Sequence, residues 1–83
     1  MKSEKKKQSL DVDVEIQKLG ARIKHLRIKK GYTNMDFFAY DHGFNRSQYG
    51  KYEKGKDLQY STLIKLLNAF NVSYEDFFSE GFD

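Results

Sequence analysis

The chain has 83 residues, of which 15 are Lys or Arg and 12 are Asp or Glu, and seven Phe and six Tyr supply much of its apolar content. This length allows one domain, and the absence of Cys excludes a disulfide framework or a thiolate metal site, while two His are too few for a zinc site. No apolar stretch approaches the roughly 18 residues of a membrane span, and no signal-peptide core is present. We therefore expect a soluble, cytoplasmic protein.

The net charge of +3 is unevenly distributed. Residues 1–10 are basic and almost without apolar side chains, so we predict a disordered basic arm there and a folded domain over residues 11–83. Residues 44–56 carry four basic side chains and one acidic, whereas residues 57–83 carry five acidic and one basic. Such asymmetry suits one anion-binding surface, although ordinary solvated helix faces would give a similar pattern.

Three helices are predicted in the first two thirds of the chain. Apolar residues at intervals of three and four predict a helix over about 13–30, which Gly31 ends. Thr33 resembles an N-cap because Asp36 follows three residues later, and a short helix over about 34–42 follows. After a turn at Gly43, Asn45 is predicted to cap a helix over about 46–54.

Two more helices complete the prediction. Residues 61–70 form the most apolar helical segment, and Asn71 can adopt the left-handed conformation that ends it. Ser73 is predicted to cap a final short helix that ends near Phe78. Because Pro is absent and no alternating apolar pattern persists, we predict an all-α fold of five helices.

The second and third helices have the features of a helix-turn-helix. Gly43 tolerates the positive φ of a sharp turn, and Ala39 is small enough for a close helix crossing. Tyr49 and Tyr52 would face the core. These features together, and no single one of them, indicate the motif.

The segments LGARIKHLRIKKG, FAYDHGFNRSQYGKYEKG and STLIKLLNAFNVSYEDFF resemble the Cro/CI-type (XRE, lambda-repressor-like) helix-turn-helix family, from about Ile16 to Phe78. The resemblance implies a five-helix domain that binds operator DNA, commonly as a dimer, and regulates transcription in bacteria, phage or mobile elements. His42 departs from the family pattern because an apolar residue is typical there. Gly50 also departs from it, at a cost of about 1 kcal/mol relative to Ala, and we expect a close approach to the second helix to require it.

The resemblance implies roles for particular side chains. In this class the first residues of the reading helix contact base edges in the major groove, here Arg46, Ser47, Gln48 and Lys51. Candidates for phosphate contact lie at helix N-termini and beyond the reading helix: Thr33, Asn34, Asn45, Lys54 and Lys56. For all of these, ordinary solvated surface positions are the alternative. The resemblance also places Arg27 and Glu53 as an ion pair beneath the reading helix.

We therefore predict a sequence-specific, repressor-like transcriptional regulator, located with bacterial or phage DNA, that binds double-stranded operator DNA as a homodimer. The alternative is a protein-interaction module, such as an antitoxin that binds a protein partner, and the two roles can coexist. Phe77, Phe78 and Phe82 exceed the needs of a small core, so they either cover its end or form a dimer contact. No catalytic grouping or phosphate-binding Gly loop is present, and we predict no enzymatic activity, cofactor or metal.

Overall fold

A computed structural model describes residues 9–83, and the predicted basic arm falls outside this range except for Ser9 and Leu10. The described part is all-helical, as predicted. Its five helices are α1 (Val12–Lys29), α2 (Met35–Asp41), α3 (Arg46–Glu53), α4 (Tyr60–Phe70) and α5 (Tyr74–Phe78). No helix in this part of the chain is long and apolar enough to cross a membrane.

Side-chain caps fix where most of the helices begin. The side chain of Asn45 accepts a hydrogen bond from the backbone N–H of Gln48, and Ser73 accepts one from Asp76, as the sequence predicts. The predicted cap at Thr33 is wrong by one residue. Asn34 caps α2 instead, because its side-chain oxygen reaches the N–H of Phe37, 3.1 Å away.

The ends of the helices depend on left-handed backbone conformations. Asn71 ends α4 with φ 58° and ψ 48°, the conformation expected of it. Gly31 follows α1 with φ 105°, and Gly55 follows α3 with φ 94°. Residues with a Cβ rarely adopt such angles. These positions therefore allow the chain to change direction between helices.

The core lies between α1, α3, α4 and α5, and α2 closes it through Phe38 and Ala39. Phe38 packs its ring against Tyr49 and Phe70, each with centroids 5.1 Å away. His42 stacks on Phe38 at 4.3 Å, and its Nδ1 lies 3.0 Å from the Phe38 carbonyl oxygen. The imidazole thus fills the position where an apolar side chain is typical, and its ring nitrogen satisfies a backbone carbonyl.

Two contacts of α1 hold the other helices in place, and neither was anticipated from the sequence. A Cβ at Gly20 would lie 2.6 Å from the carbonyl oxygen of Tyr52, so α1 and the end of α3 meet backbone to backbone. The buried Arg22 donates from Nε to the Phe77 carbonyl at 2.7 Å and from Nη2 to the Asp76 carbonyl at 2.8 Å. These bonds satisfy carbonyl groups at the end of the short α5.

Candidate nucleic-acid interface

The turn between α2 and α3 sets the position of the third helix. Gly43 has φ 76°, and the N–H of Phe44 donates to the Ala39 carbonyl at 2.8 Å. Ala39 is fully buried, and the ring of Phe44 packs against Tyr49, so the turn is anchored on the core side. As a result α3 leaves the core with its first turn exposed to solvent.

The third helix has a buried face and a solvent face. Tyr49 is fully buried and Tyr52 is half-buried. Arg46, Ser47 and Lys51 are exposed, and Ser47 and Lys51 are one turn apart on the same strip of the helix. The solvent face therefore offers hydrogen-bond donors of the kind that bond to base edges.

Gln48 is also exposed, but its side chain already has a partner. Its Oε1 accepts a hydrogen bond from the Tyr52 hydroxyl at 3.1 Å. Its backbone N–H, and not its side chain, takes part in the Asn45 cap. The side-chain amide group is therefore held along the helix surface by Tyr52.

Arg46 has an acidic neighbour that sequence reasoning did not place. Its Nη1 lies 3.9 Å from a carboxylate oxygen of Asp36 on α2, and both side chains are about two-thirds exposed, at 67% and 60%. Exposed pairs at this distance contribute little to stability. The consequence is electrostatic, since Asp36 puts a negative charge beside the first turn of α3.

Two polar depressions border α3. One is lined by Asp36, Asn45, Arg46 and Ser47. The other has a volume of about 340 Å³ and lies between α3 and the start of α4, where Lys51 and Lys56 line it together with Gln59 and Thr62. Thr33 and Asn34 are exposed at the start of α2, and Lys54 is exposed at the end of α3, outside both depressions.

The second depression adds residues that sequence reasoning missed. Gln59 occupies the N-cap of α4 but makes no side-chain cap, so the first backbone N–H groups of this helix have no side-chain acceptor. N–H groups at a helix N-terminus that lack a side-chain cap attract anions, and Lys56 lines the same depression together with the acidic Asp57. The signal available in the sequence was the proximity of Lys54 and Lys56 to the start of a helix.

Arg27 and Glu53 lie in direct contact and join α1 to the last residue of α3. Nε of Arg27 is 2.7 Å from Oε2 of Glu53, and Nη2 is 3.0 Å from Oε1. Nη1 donates to the Tyr32 carbonyl at 2.8 Å. The side chains are only 5% and 3% exposed. The hydrogen bond with Glu53 raises the pKa of Arg27 above its ordinary value, so burial does not weaken the positive charge that an arginine carries at neutral pH.

The hydroxyl of Tyr49 is buried close to this pair. It has no hydrogen-bond partner within the described residues. Burial raises the pKa of Tyr49, so the hydroxyl stays protonated. The ring of Tyr49 packs against Phe38 and Phe44, which fixes the core side of α3.

The expected reason for Gly50 is wrong. A Cβ at Gly50 would find nothing within 4 Å, so no close approach to α2 requires Gly at this position. A close backbone approach of α3 is found instead with α1, at Gly20. Gly50 is therefore a weak point of α3 that packing does not explain.

Over the residues that the structure covers, no group of three or more His, Cys, Asp or Glu could hold a metal ion. No curated protein and no solved structure matches the chain. A family model described as a helix-turn-helix domain matches residues 20–80, from Gly20 in the middle of α1 to just beyond α5. That range includes the α2–turn–α3 unit and both helices that pack behind it, and the chain therefore belongs to the helix-turn-helix domain family.

Proposed function

We propose that the chain is a sequence-specific DNA-binding regulator of transcription whose α3 reads base edges in the major groove. The observation that carries the proposal is the division of α3, with Tyr49 and Glu53 fixed on the core side and Arg46, Ser47 and Lys51 exposed on the other. A helix held in this way can enter a groove without changing its own packing. Family membership supports the same function.

Phosphate contacts are assigned to residues on both sides of the reading helix. Lys56 borders the uncapped start of α4, and Asn45 lies at the start of α3. All of these phosphate contacts, with those of Lys54, Thr33 and Asn34, are predictions, as is a role for the basic residues 1–8. Contacts of this kind set the register of a protein on DNA and carry no sequence information.

A repressor-like homodimer on a palindromic operator is the proposed form of binding. A two-fold dimer presents its two reading helices about 34 Å apart, one turn of B-DNA, so the half-sites should repeat at about that spacing. A regulator of this type represses by occupying its operator. The footprint on the selected DNA measures both the spacing and the number of copies bound.

The test is selection of bound sites from a random pool of duplex DNA by the full chain, followed by fluorescence anisotropy on the enriched site. We expect a motif with two inverted half-sites and affinity at least about 10³-fold above that for a scrambled site at the same salt. A pool that stays random after repeated rounds, with equal affinity for all duplexes, would overturn sequence-specific binding.

A further inference from the structure

An apolar groove lies along the first half of α1, where α4 and the end of the chain pack against it. It has a volume of about 520 Å³ and is open to solvent. Its walls include Leu10, Val12, Ile16, Leu63, Phe78 and Phe82. Leu10 is 65% exposed and Val12 is 69% exposed, although both are strongly apolar. None of these residues is a candidate DNA contact.

Beyond the groove, exposed and half-buried aromatic rings continue the apolar surface across α5 to the start of α4. The ring of Phe82 lies 4.8 Å from that of Phe78, Phe78 lies 6.5 Å from Tyr74, and Tyr74 lies 6.4 Å from Tyr60. Tyr60 is 66% exposed, and Tyr74 and Phe78 are 45% and 43% exposed. Contiguous apolar surface of this kind marks interaction sites, and its elongated form suits a segment of polypeptide better than a small molecule.

The chain segments that border the groove are acidic. Residues 9–16 and 73–83 contain seven acidic residues and no basic one: Asp11, Asp13, Glu15, Glu75, Asp76, Glu80 and Asp83. Lys18 lies near them, but its Nζ is 3.2 Å from Glu15 and donates to the Phe82 carbonyl at 3.4 Å. Arg22 is buried, with Nη1 3.8 Å from Glu80. The net charge of the segments that border the groove is therefore negative.

Charge decides between two possible occupants. A second copy that docked symmetrically through this groove would bring two acidic borders together, and like charges at an interface are unfavourable. A segment with an apolar face flanked by Lys and Arg would instead complement both the groove and its border. Such segments bind as amphipathic helices laid into a groove.

We propose that this groove docks an amphipathic helical segment of another protein, with Lys and Arg beside its apolar face. The surface shares no residue with the candidate DNA interface, so the result of the DNA-binding test does not decide this proposal. A dimer on DNA would then have to use a different surface. The segment's apolar side chains enter between Val12 and Phe78, and its basic side chains pair with the acidic border.

The test uses the full chain and a labelled synthetic peptide with Leu at helical spacings of three and four and Lys at the other positions. Two control peptides are matched to it: one with Glu in place of Lys, and one with the Leu/Lys composition in scrambled order. We expect saturable one-to-one binding of the Leu/Lys peptide alone, measured by fluorescence anisotropy, and weaker binding as salt rises.

Variants locate the binding to the groove. The double variant Leu10→Gln/Val12→Gln removes two exposed apolar side chains and should lower the affinity for the Leu/Lys peptide about tenfold or more. Its helical content, measured by circular dichroism, should be unchanged. The matched control is Ile28→Gln, which changes a 49%-exposed apolar residue on the same helix outside the groove and should leave affinity unchanged. The double variant Asp13→Asn/Asp83→Asn should lower the affinity for the Leu/Lys peptide, because it removes two negative charges and leaves the apolar side chains of the groove unchanged.

Three outcomes would overturn the proposal. Equal binding of the scrambled peptide would reduce the effect to nonspecific charge attraction. Dimerisation of the free chain that Leu10→Gln/Val12→Gln abolishes would assign the groove to a second copy. Absence of peptide binding at millimolar concentration would remove the docking site altogether, whatever the result of the DNA selection.

Discussion

Arg46 is the exposed side chain on which base discrimination is expected to depend. It stands at the first position of α3 and is 67% exposed, with Nη1 3.9 Å from a carboxylate oxygen of Asp36. Its guanidinium group can bond to O6 and N7 of a guanine at once, which Lys cannot do with the same geometry. On this basis we propose that Arg46 contributes to specificity and that Lys54 contributes to affinity on any sequence.

Arg46→Ala should therefore cost about 1–3 kcal/mol on the selected operator and much less on a scrambled duplex. The measurement is anisotropy on both duplexes at one salt concentration. Lys54→Ala is the control and should lower the affinity for both duplexes by a similar factor. Equal losses on the two duplexes for Arg46→Ala would place Arg46 on a phosphate and not on a base.

Gly20 and Gly50 make a second pair of predictions at the scale of single residues. A Cβ at Gly20 would meet the carbonyl oxygens of Tyr52 and Glu53 at 2.6 and 2.9 Å, and backbone atoms cannot move aside as a side chain can. Gly20→Ala should therefore destabilise the fold by about 1–3 kcal/mol or more. Gly50→Ala meets open space and should stabilise α3 by up to about 1 kcal/mol.

Thermal unfolding followed by circular dichroism measures both changes, since about 1 kcal/mol shifts the Tm of a domain this small by about 4–8 °C. The two variants make the same chemical change on neighbouring helices, so each is the control for the other. A lower Tm for Gly50→Ala would mean that the Gly at this position serves the fold after all.

The first and last residues of a helix were predictable from the sequence where they depend on a few neighbouring residues. Asn45, Ser73 and Asn71 act on backbone groups within three residues, and the sequence reveals such caps directly. Thr33 was one residue off because Asn34 competes for the same role. Arg22 pairs with Phe77, 55 residues away, and no local pattern signals that contact.

The candidate site was likewise predictable where it depends on one helix and unpredictable where it depends on contacts between helices. The sequence places Arg46, Ser47 and Lys51 on the exposed face of α3, because helical periodicity separates them from Tyr49. The position of Asp36 beside Arg46, and of Gln59 beside Lys56, depends on how α2 and α4 pack against α3. Tertiary packing of this kind cannot be obtained from the periodicity of one helix.

The attachment of α3 to α1 is the main prediction at the scale of elements. Arg27 and Glu53 are bidentate and nearly inaccessible to water, so removing one partner leaves a buried charge without compensation. Glu53→Leu and Arg27→Met should each cost about 3–5 kcal/mol. Because a domain of this size has a total stability of about 5–15 kcal/mol, either change brings the fold close to its limit.

The double variant Arg27→Met/Glu53→Leu replaces both charges with apolar side chains and should recover much of that loss. Urea denaturation of the four proteins in the cycle gives the coupling energy between the two residues. Losses that simply add in the double variant would mean that the pair does not hold α3 to α1.

At the scale of the whole molecule, the charges separate into two regions. Residues 44–56 carry four basic side chains against one acidic and include the exposed face of α3. The segments that border the apolar groove, residues 9–16 and 73–83, carry acidic side chains and no basic one. We therefore expect a polyanion to be attracted to the region around α3 and repelled from the groove, which would orient the protein before any base is contacted.

This separation predicts how DNA affinity responds to salt. Each phosphate neutralised by Lys or Arg contributes about −0.9 to the slope of log affinity against log salt, because bound counterions are released. Lys56→Gln should therefore make the slope shallower by about 1 on operator and scrambled duplex alike. Glu80→Gln removes an exposed charge beside the groove and should leave the slope unchanged. A slope near zero for the unmodified chain would contradict an electrostatic DNA interface. A change of slope in Glu80→Gln as large as that in Lys56→Gln would show that net charge, and not the basic surface around α3, governs the attraction.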